Sequence, residues 1–217
     1  MLEKAWAKIF GNYHRIEAGT TGEALPVLTG APSSFFYHSE AKNKEEIWDQ
    51  IKKADDKDYI IATAVSSARQ GKNAAEMSAV GLVDAHAYSL ISTYEEVDGH
   101  NQRLRLIKIR NPWGFKEWTG EWSDKSEKWT KEMKEKLDFE AQDDGIFFIS
   151  FQDYLNFFYI TTISKYVQDN DVSSVADQHE PFKYCISKFT LPTDYNNRVE
   201  LLVSQIHARF IDETMNG

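Results

Sequence analysis

The N-terminal part of the chain contains two segments in which apolar residues recur at helical spacing. In residues 2–10 and again in residues 44–54, the apolar side chains fall on one face of a helix. Asn43, followed three positions later by Glu46, forms the pattern of a capping box at the start of the second segment. Both segments are therefore predicted to be amphipathic helices. Residues 18–34 are rich in glycine, threonine, proline and serine, which predicts a loop.

Runs of β-branched and alternating apolar residues predict five strands, at residues 59–65, 82–94, 104–109, 145–149 and 160–166. Ser150 and Asp153 form a second capping box, which predicts a helix after the fourth strand. Residues 113–136 combine tryptophans with charges and are predicted to be irregular, ending in a helix rich in lysine and glutamate. Strands joined by a hairpin and accompanied by a few helices indicate an α+β fold with an antiparallel sheet.

The dipeptide Asp98-Gly99 between the second and third predicted strands is typical of a two-residue hairpin turn. With this turn, His86 lies opposite Asn111. An asparagine oxygen that accepts from a ring N–H fixes the tautomer of a histidine and leaves its other nitrogen free to pair with a thiol. His86 and Asn111 are therefore candidates for the base and the orienting residue of a Cys-His-Asn site, with the indole of Trp113 shielding them from water.

The same residues also have ordinary structural interpretations. A single histidine on a strand is more often a packing residue than a base. Residues 111–114, Asn-Pro-Trp-Gly, are also typical of a turn. The tryptophans of residues 113–122 are more often part of a core than of a functional site. The residues alone leave both interpretations open.

Composition narrows the class of protein. The chain has 217 residues, of which 41% are hydrophobic and 27% charged, a balance typical of globular proteins. A formal net charge of -9 argues against a general binder of nucleic acids or anionic membranes. No apolar run is long enough to form a transmembrane segment, and the N-terminus lacks the apolar stretch of a secretory signal. The single cysteine, Cys185, permits no internal disulfide, so a cytoplasmic protein is predicted.

The C-terminal part of the sequence differs in character from the rest. Residues 167–181 are polar and are predicted to form a linker. Two further strands are predicted, at residues 183–191 and 199–210. Because two strands cannot bury a core alone, we expect them to be the opening of a second domain. The helix predicted for residues 2–10 has no capping residue ahead of it, which suggests that the chain continues a larger unit.

Several segments of the chain resemble the motifs of the calpain family of cysteine peptidases. Two hold the histidine and asparagine motifs and three extend the match, at residues 81–89, 107–114, 117–124, 2–8 and 144–151. The resemblance covers residues 1–166 and implies the His- and Asn-bearing second half of a papain-like protease core, an antiparallel, barrel-like sheet with peripheral helices. A weaker resemblance over residues 182–217 implies the first strands of the β-sandwich domain that follows in calpains.

The resemblance implies a calcium-dependent cysteine endopeptidase acting on proteins or extended peptides, with His86 as general base, Asn111 as its orienting residue and Trp113 in the same site. In papain-like enzymes the nucleophilic cysteine precedes the histidine by about 130–150 residues. Cys185 instead follows both residues and lacks the Cys-Trp context of the family, so it is interpreted as a small buried side chain. We therefore expect the chain alone to be inactive, with the nucleophile-bearing half supplied in cis or in trans.

The resemblance also implies one Ca²⁺ site in this half of the core. Its ligands are the carboxylates of Glu117, Asp124 and Asp144 and the backbone carbonyl of Gln142. Hard oxygen donors of this kind suit Ca²⁺. Ile146 stands where the family has an acidic ligand, and the loss of that carboxylate is expected to weaken binding.

Two departures from the calpain pattern favour an alternative function. Ala85 stands where calpains have glycine, and it adds a methyl group where the substrate backbone approaches. Together with Ile146 and the missing nucleophile, Ala85 supports a second hypothesis. The chain is then a catalytically inactive, calpain-like binding or scaffold protein within a larger assembly.

Overall fold

The computed structural model describes residues 1–97 and 103–168. Its helices are α1 (Leu2–Ile9), α2 (Thr21–Thr29), α3 (Lys44–Asp55), α4 (Ala74–Ala79), α5 (Lys131–Lys136) and α6 (Phe151–Phe157). Its strands are β1 (Ser33–Tyr37), β2 (Ile60–Val65), β3 (His86–Val97), β4 (Arg103–Arg110), β5 (Ile146–Ser150) and β6 (Phe158–Ser164). None of the helices among the described residues is long and apolar enough to cross a membrane.

The six strands form one antiparallel sheet in the order β1-β6-β2-β3-β4-β5. This confirms the predicted α+β class. The sheet is open, with β1 and β5 at its edges, so the described strands do not close into the barrel-like form that the resemblance implied. Predictions for the linker beyond residue 168, for the strands after it, for Cys185 and for the Asp98-Gly99 turn lie outside the described residues.

Alternation along the strands places two apolar clusters on opposite faces of the sheet. In β4, Ile107 belongs to the larger cluster and the preceding Leu106 to the smaller one. In β5, Ile149 belongs to the larger cluster and the preceding Phe148 to the smaller one. The larger cluster packs beneath α3 and α6, and the smaller one contains the side chains of Leu106, Trp122, Trp129 and Phe148.

The N-cap residue of each predicted capping box begins a helix. The side chain of Asn43 accepts from the backbone N–H of Glu46 at 2.8 Å, at the start of α3. Ser150 accepts from the N–H of Asp153 at 3.0 Å, at the start of α6. Each cap satisfies a backbone donor that the helix itself leaves unpaired. These two helices cover the larger cluster, and with it the face of the sheet toward which His86 points.

The prediction of a loop for residues 18–34 is wrong. α2 occupies Thr21–Thr29 and β1 begins at Ser33. Tertiary contacts explain the helix, because the Thr21 hydroxyl contacts Thr162 of β6 at 2.7 Å. The left-handed Gly30, with a φ of 67°, then ends the helix.

The predicted hairpin register is also wrong. Val97 pairs with Arg103, whereas a two-residue turn at Asp98-Gly99 would pair it with His100. The last rung between β3 and β4 is Ser89 with Arg110, so His86 and Asn111 are not directly opposite. The register also shifts between Leu90 and Ser92, which makes Ile91 an extra residue on β3.

A buried polar network joins the centre of the sheet to α6. His38 Nδ1 donates to the carbonyl of Phe158 at 2.7 Å, and its Nε2 lies 2.8 Å from the Thr161 hydroxyl. The hydroxyl of Tyr154 in turn contacts Thr161 at 2.6 Å and donates to Thr63 at 2.9 Å. Burial lowers the pKa of His38 to about 4, although its bond to the Phe158 carbonyl acts in the opposite direction.

Candidate active site

His86 and Asn111 meet where two neighbouring strands end. His86 is the first residue of β3, and Asn111 follows the last residue of β4. The Nε2 atom of His86 lies 2.9 Å from Oδ1 of Asn111. The two residues are not paired in the ladder, but their side chains are long enough to meet.

The carboxamide of Asn111 is fully buried and uses both of its ends. Its Nδ2 donates to the carbonyls of Phe115 and Lys116 at 2.7 and 3.1 Å. Its Oδ1 accepts from the backbone N–H of Trp113 at 3.1 Å and faces the ring of His86. Because carbonyls only accept, the Nδ2 end is fixed, and Oδ1 requires a donor from the ring. His86 therefore carries its proton on Nε2.

The second ring nitrogen of His86 has no hydrogen bond within residues 1–97 and 103–168. With a proton on Nε2, Nδ1 holds a lone pair. Such a nitrogen can accept a proton from a thiol or a water molecule placed beside it. The ring is half-buried, and it packs edge-on against Tyr88 with centroids 5.0 Å apart.

Trp113 lies against His86 and remains open to solvent. The two ring centroids are 4.6 Å apart, and the tryptophan is 49% exposed. The other two tryptophans of residues 113–122 lie elsewhere, since Trp118 is buried in the larger apolar cluster and Trp122 in the smaller one. Trp113 thus covers one side of the imidazole and forms part of an accessible surface.

The backbone of Asn111 is tied to the loop before β5. Its N–H donates to the carbonyl of Gly145 at 2.7 Å. Gly145 has a φ of +85°, and a Cβ there would lie 2.7 Å from the Asn111 carbonyl oxygen and 2.9 Å from the Cα of Gly114. Only glycine allows this approach. The close contact fixes the position from which the carboxamide projects.

Ala85, immediately before His86, has a left-handed backbone. Its φ is 50° and the residue is exposed. A non-glycine residue in this region costs about 1–2 kcal/mol. The methyl group that departs from the calpain pattern is therefore a source of strain next to the candidate base.

The predicted calcium ligands come together only in part. One oxygen of Glu117 accepts from the backbone N–H groups of Asp144 and Gly145 at 3.0 and 2.7 Å. Burial, and then the charges of Asp124 and Asp143, raise the pKa of Glu117. Burial raises the pKa of Asp124 too, followed by the charges of Asp144 and Asp143. These carboxylates therefore repel one another across one loop cluster.

The donor set of this loop cluster is incomplete. Asp124 Oδ1 is buried without a hydrogen-bond partner, which suits a cation. Gln142, however, presents its backbone N–H to Asp124, and Asp144 accepts from the N–H of Ile146 at 2.8 Å. Within the described part of the chain, no group of three or more histidine, cysteine, aspartate or glutamate side chains could hold a metal ion.

Sequence reasoning gave no role to Asp84 and Ser67, which hold the segment before His86. The Asp84 carboxylate accepts from the backbone N–H of Ser67 at 2.6 Å and from its hydroxyl at 2.7 Å. The two residues lie far apart in the chain, so no local pattern links them. The available signal was only that aspartate side chains often bond nearby backbone N–H groups in turns.

The sheet is open and antiparallel, helices cover one of its faces, and a histidine–asparagine contact lies at its strand ends. These features fit part of the core of a cysteine protease. The chain belongs to the calpain family of cysteine proteases, whose family model matches residues 1–165.

Individual relatives support this membership. Calpain-9 of Mus musculus is 34% identical over 157 residues, which is 71% of this chain and 22% of that protein. Calpain-5 of Mus musculus is 32% identical over 174 residues, covering 73% of this chain and 27% of that protein. The calpain-type cysteine protease DEK1 of Arabidopsis thaliana is 36% identical over 161 residues, 71% of this chain and 7% of its own length. The chain therefore spans about a quarter or less of these relatives.

Proposed function

We propose that this chain supplies the general base and its orienting residue to a calpain-type cysteine endopeptidase, and that the nucleophilic cysteine comes from the other half of the core, in cis or in trans. The observation that carries the proposal is the 2.9 Å contact between His86 Nε2 and the buried Oδ1 of Asn111. It leaves Nδ1 of His86 free to accept a proton. Membership of the calpain family supports protein or peptide substrates.

The proposed reaction is acyl transfer through a thioester. Nδ1 of His86 accepts the thiol proton as the thiolate attacks the scissile carbonyl carbon. The same nitrogen then protonates the leaving amine, and the acyl group remains on sulfur until water, deprotonated by His86, releases it. Asn111 holds the proton on Nε2 throughout, so that only Nδ1 gains and loses a proton, and Trp113 excludes water from one side of the ring.

The test is an assay of peptide cleavage by the 217-residue chain, alone and mixed with a separately produced cysteine-bearing half of a calpain-family core. We expect no cleavage by the chain alone, and cleavage sensitive to thiol inhibitors in the mixture. His86→Gln abolishes the activity of the mixture, and Asp49→Asn, at an exposed position on α3, leaves it unchanged. Thiol-inhibitor-sensitive cleavage by the chain alone would contradict an external nucleophile.

The proposal also includes a calcium site in the acidic loop cluster. A bound Ca²⁺ would supply positive charge between acidic loops, and the carboxylates of Glu117 and Asp124 are the residues that would hold it. The buried, unpartnered Asp124 Oδ1 favours a cation, but the incomplete ligand set predicts weak binding, with a Kd of about a millimolar. Titration calorimetry with CaCl₂ tests this. Asp124→Asn should remove the heat of binding and Asp49→Asn should keep it; no heat from the unmodified chain at millimolar Ca²⁺ rejects the site.

A catalytically inactive scaffold is the second candidate function. It is favoured by Ala85, whose exposed methyl group and φ of 50° lie directly beside His86. If the mixture of halves associates but cleaves nothing, and Ala85→Gly does not restore cleavage, the scaffold is the better account. Association is measured by analytical ultracentrifugation of the same samples.

A further inference from the structure

His86 begins its strand directly after a segment that lacks sheet pairing. The last rung between β2 and β3 joins Val65 to His86, and before it the chain leaves the ladder. The immediately preceding residue, Ala85, has a φ of 50° and gains no support from a neighbouring strand. Something other than the ladder must hold the residues from which His86 projects.

The Asp84 carboxylate provides that support through three hydrogen bonds. Its Oδ1 accepts from the backbone N–H of Ser67 at 2.6 Å and from the N–H of Ala85 at 2.9 Å. Its Oδ2 accepts from the Ser67 hydroxyl at 2.7 Å. The bonds from Ser67, backbone first, lower the pKa of Asp84, so the carboxylate is charged at neutral pH.

Ser67 lies two residues after Val65, the partner of His86 on β2. The Asp84 carboxylate therefore continues the link between β2 and β3 past their last rung. Its oxygens accept the hydrogen bonds that a backbone carbonyl would accept within the ladder. A second bond supports the same segment, since the N–H of Val83 donates to the Tyr88 hydroxyl at 2.8 Å. Charge-assisted bonds of this kind hold geometry better than neutral ones.

We propose that Asp84 is a positioning residue for His86: its bonds to Ser67 and Ala85 hold the left-handed backbone before the histidine and so direct the imidazole onto Asn111. This inference rests on the proposed function of His86 as a base. It assigns Asp84 no contact with substrate. Without the carboxylate, the strained Ala85 relaxes, the ring turns away from Asn111, and the preference for a proton on Nε2 weakens.

The test is the tautomer of His86 in the full 217-residue chain, read from long-range ¹H–¹⁵N spectra near neutral pH. The His86 signals are assigned with the His86→Gln variant. In the unmodified chain the Nε2–H form should dominate. In Asp84→Ala the ratio of Nε2–H to Nδ1–H forms should fall at least about threefold, a change of the size of one weakened hydrogen bond. Asp49→Asn, which removes a carboxylate from the surface of α3, should leave the ratio unchanged.

A milder pair of variants covers the case in which Asp84→Ala does not fold. Ser67→Ala removes only the hydroxyl bond and should lower the ratio by a smaller factor, and Ser67→Thr, which keeps a hydroxyl, should restore it. An unchanged ratio in a folded Asp84→Ala or Ser67→Ala chain overturns the positioning role, even if the melting temperature falls. A dominant Nδ1–H form in the unmodified chain instead contradicts the base-and-orienter assignment itself.

Discussion

The backbone N–H of Asn111 donates to the carbonyl of Gly145 at 2.7 Å, so the proposed orienting residue is fixed by the loop that precedes β5. The N–H of Gly145 itself donates to Glu117 at 2.7 Å. The acidic loop and the His86 contact are therefore connected through one glycine. A disturbance at that glycine should affect both the site and the stability of the fold.

Replacing Gly145 with alanine should destabilise the chain by at least about 2 kcal/mol, because the new Cβ meets backbone atoms that cannot move aside. The measurement is the free energy of unfolding in urea. Gly11→Ala is the matched control: Gly11 also has a positive φ, of +97°, but a Cβ there meets nothing within 4 Å. The control should cost only the backbone strain, about 1 kcal/mol. Equal losses in the two variants would show that the close approach at Asn111 is unimportant.

Replacing Ala85 with glycine should stabilise the chain slightly. Relief of a left-handed backbone stabilises by about 1–2 kcal/mol, and the added entropy of the unfolded state destabilises by about 0.5–1 kcal/mol, for a net gain of up to about 1.5 kcal/mol. Ala87→Gly, two residues further along in regular strand, should instead destabilise by about 0.5–1 kcal/mol. Thermal unfolding of both variants checks the opposite signs. A loss of stability in Ala85→Gly would mean that the methyl group makes favourable contacts.

Arg105 should be difficult to replace even by lysine. Its guanidinium bonds both oxygens of Glu45 at 2.8 and 2.7 Å and one oxygen of Glu95 at 2.8 Å, with only 9% of its side chain exposed. It also lies 4.9 Å from the ring centroid of Trp48. Lysine cannot form this fork, so Arg105→Lys should cost about 1–2 kcal/mol in urea unfolding.

Arg103→Lys serves as the control for Arg105→Lys. Arg103 reaches Glu45 at 3.5 Å through a single contact and is 57% exposed, so its replacement should cost less than about 0.5 kcal/mol. Similar costs for the two variants would argue that neither geometry nor burial strengthens the Arg105 pairs.

His38 should make stability fall as the solution becomes acidic. Its pKa is about 4 in the folded chain against 6.5 for an ordinary histidine, so between these values the unfolded chain binds a proton that the folded chain does not. Its contribution is complete above pH 6.5 and is lost progressively toward pH 4, by about 2–3 kcal/mol. The measurement is the free energy of unfolding against pH for the unmodified chain and for His38→Gln.

The His38→Gln variant should show a smaller decrease over the same pH range, and His14→Gln controls for removing a histidine from the surface. If His38→Gln keeps the full decrease, other groups cause the acid sensitivity. A rise in stability on acidification would mean that the hydroxyl of Thr161 favours the imidazolium.

Local sequence signals located the elements that depend on local chemistry. The side-chain caps at Asn43 and Ser150 bond the expected backbone donors, so α3 and α6 begin where predicted. α2 was missed because its support comes from the contact of Thr21 with Thr162, far along the chain. No pattern within residues 18–34 records such a partner.

The sequence correctly brought His86 and Asn111 together, but the strand register from which their contact was predicted is wrong. The Asp-Gly signal predicted a register that places His86 opposite Asn111, whereas the observed register is different and its last rung, Ser89 with Arg110, comes before either residue. The contact forms because His86 begins β3 and Asn111 follows the last residue of β4, so that the two side chains can reach each other. The role of Asp84 required knowledge of where Ser67 lies in space, which depends on the β2–β3 register rather than on local sequence.

The extra residue Ile91 decides which side chains of β3 face the helices. Before it, the even-numbered Tyr88 and Leu90 lie in the larger apolar cluster. After it, the side-chain hydroxyl of the odd-numbered Thr93 donates to Asp55 of α3. A strand of uniform alternation would send one of these two sets to the far side of the sheet. Because Ile91 shifts the alternation of β3 once, the side chains of His86 and Thr93 both lie on the side of the sheet that faces α3.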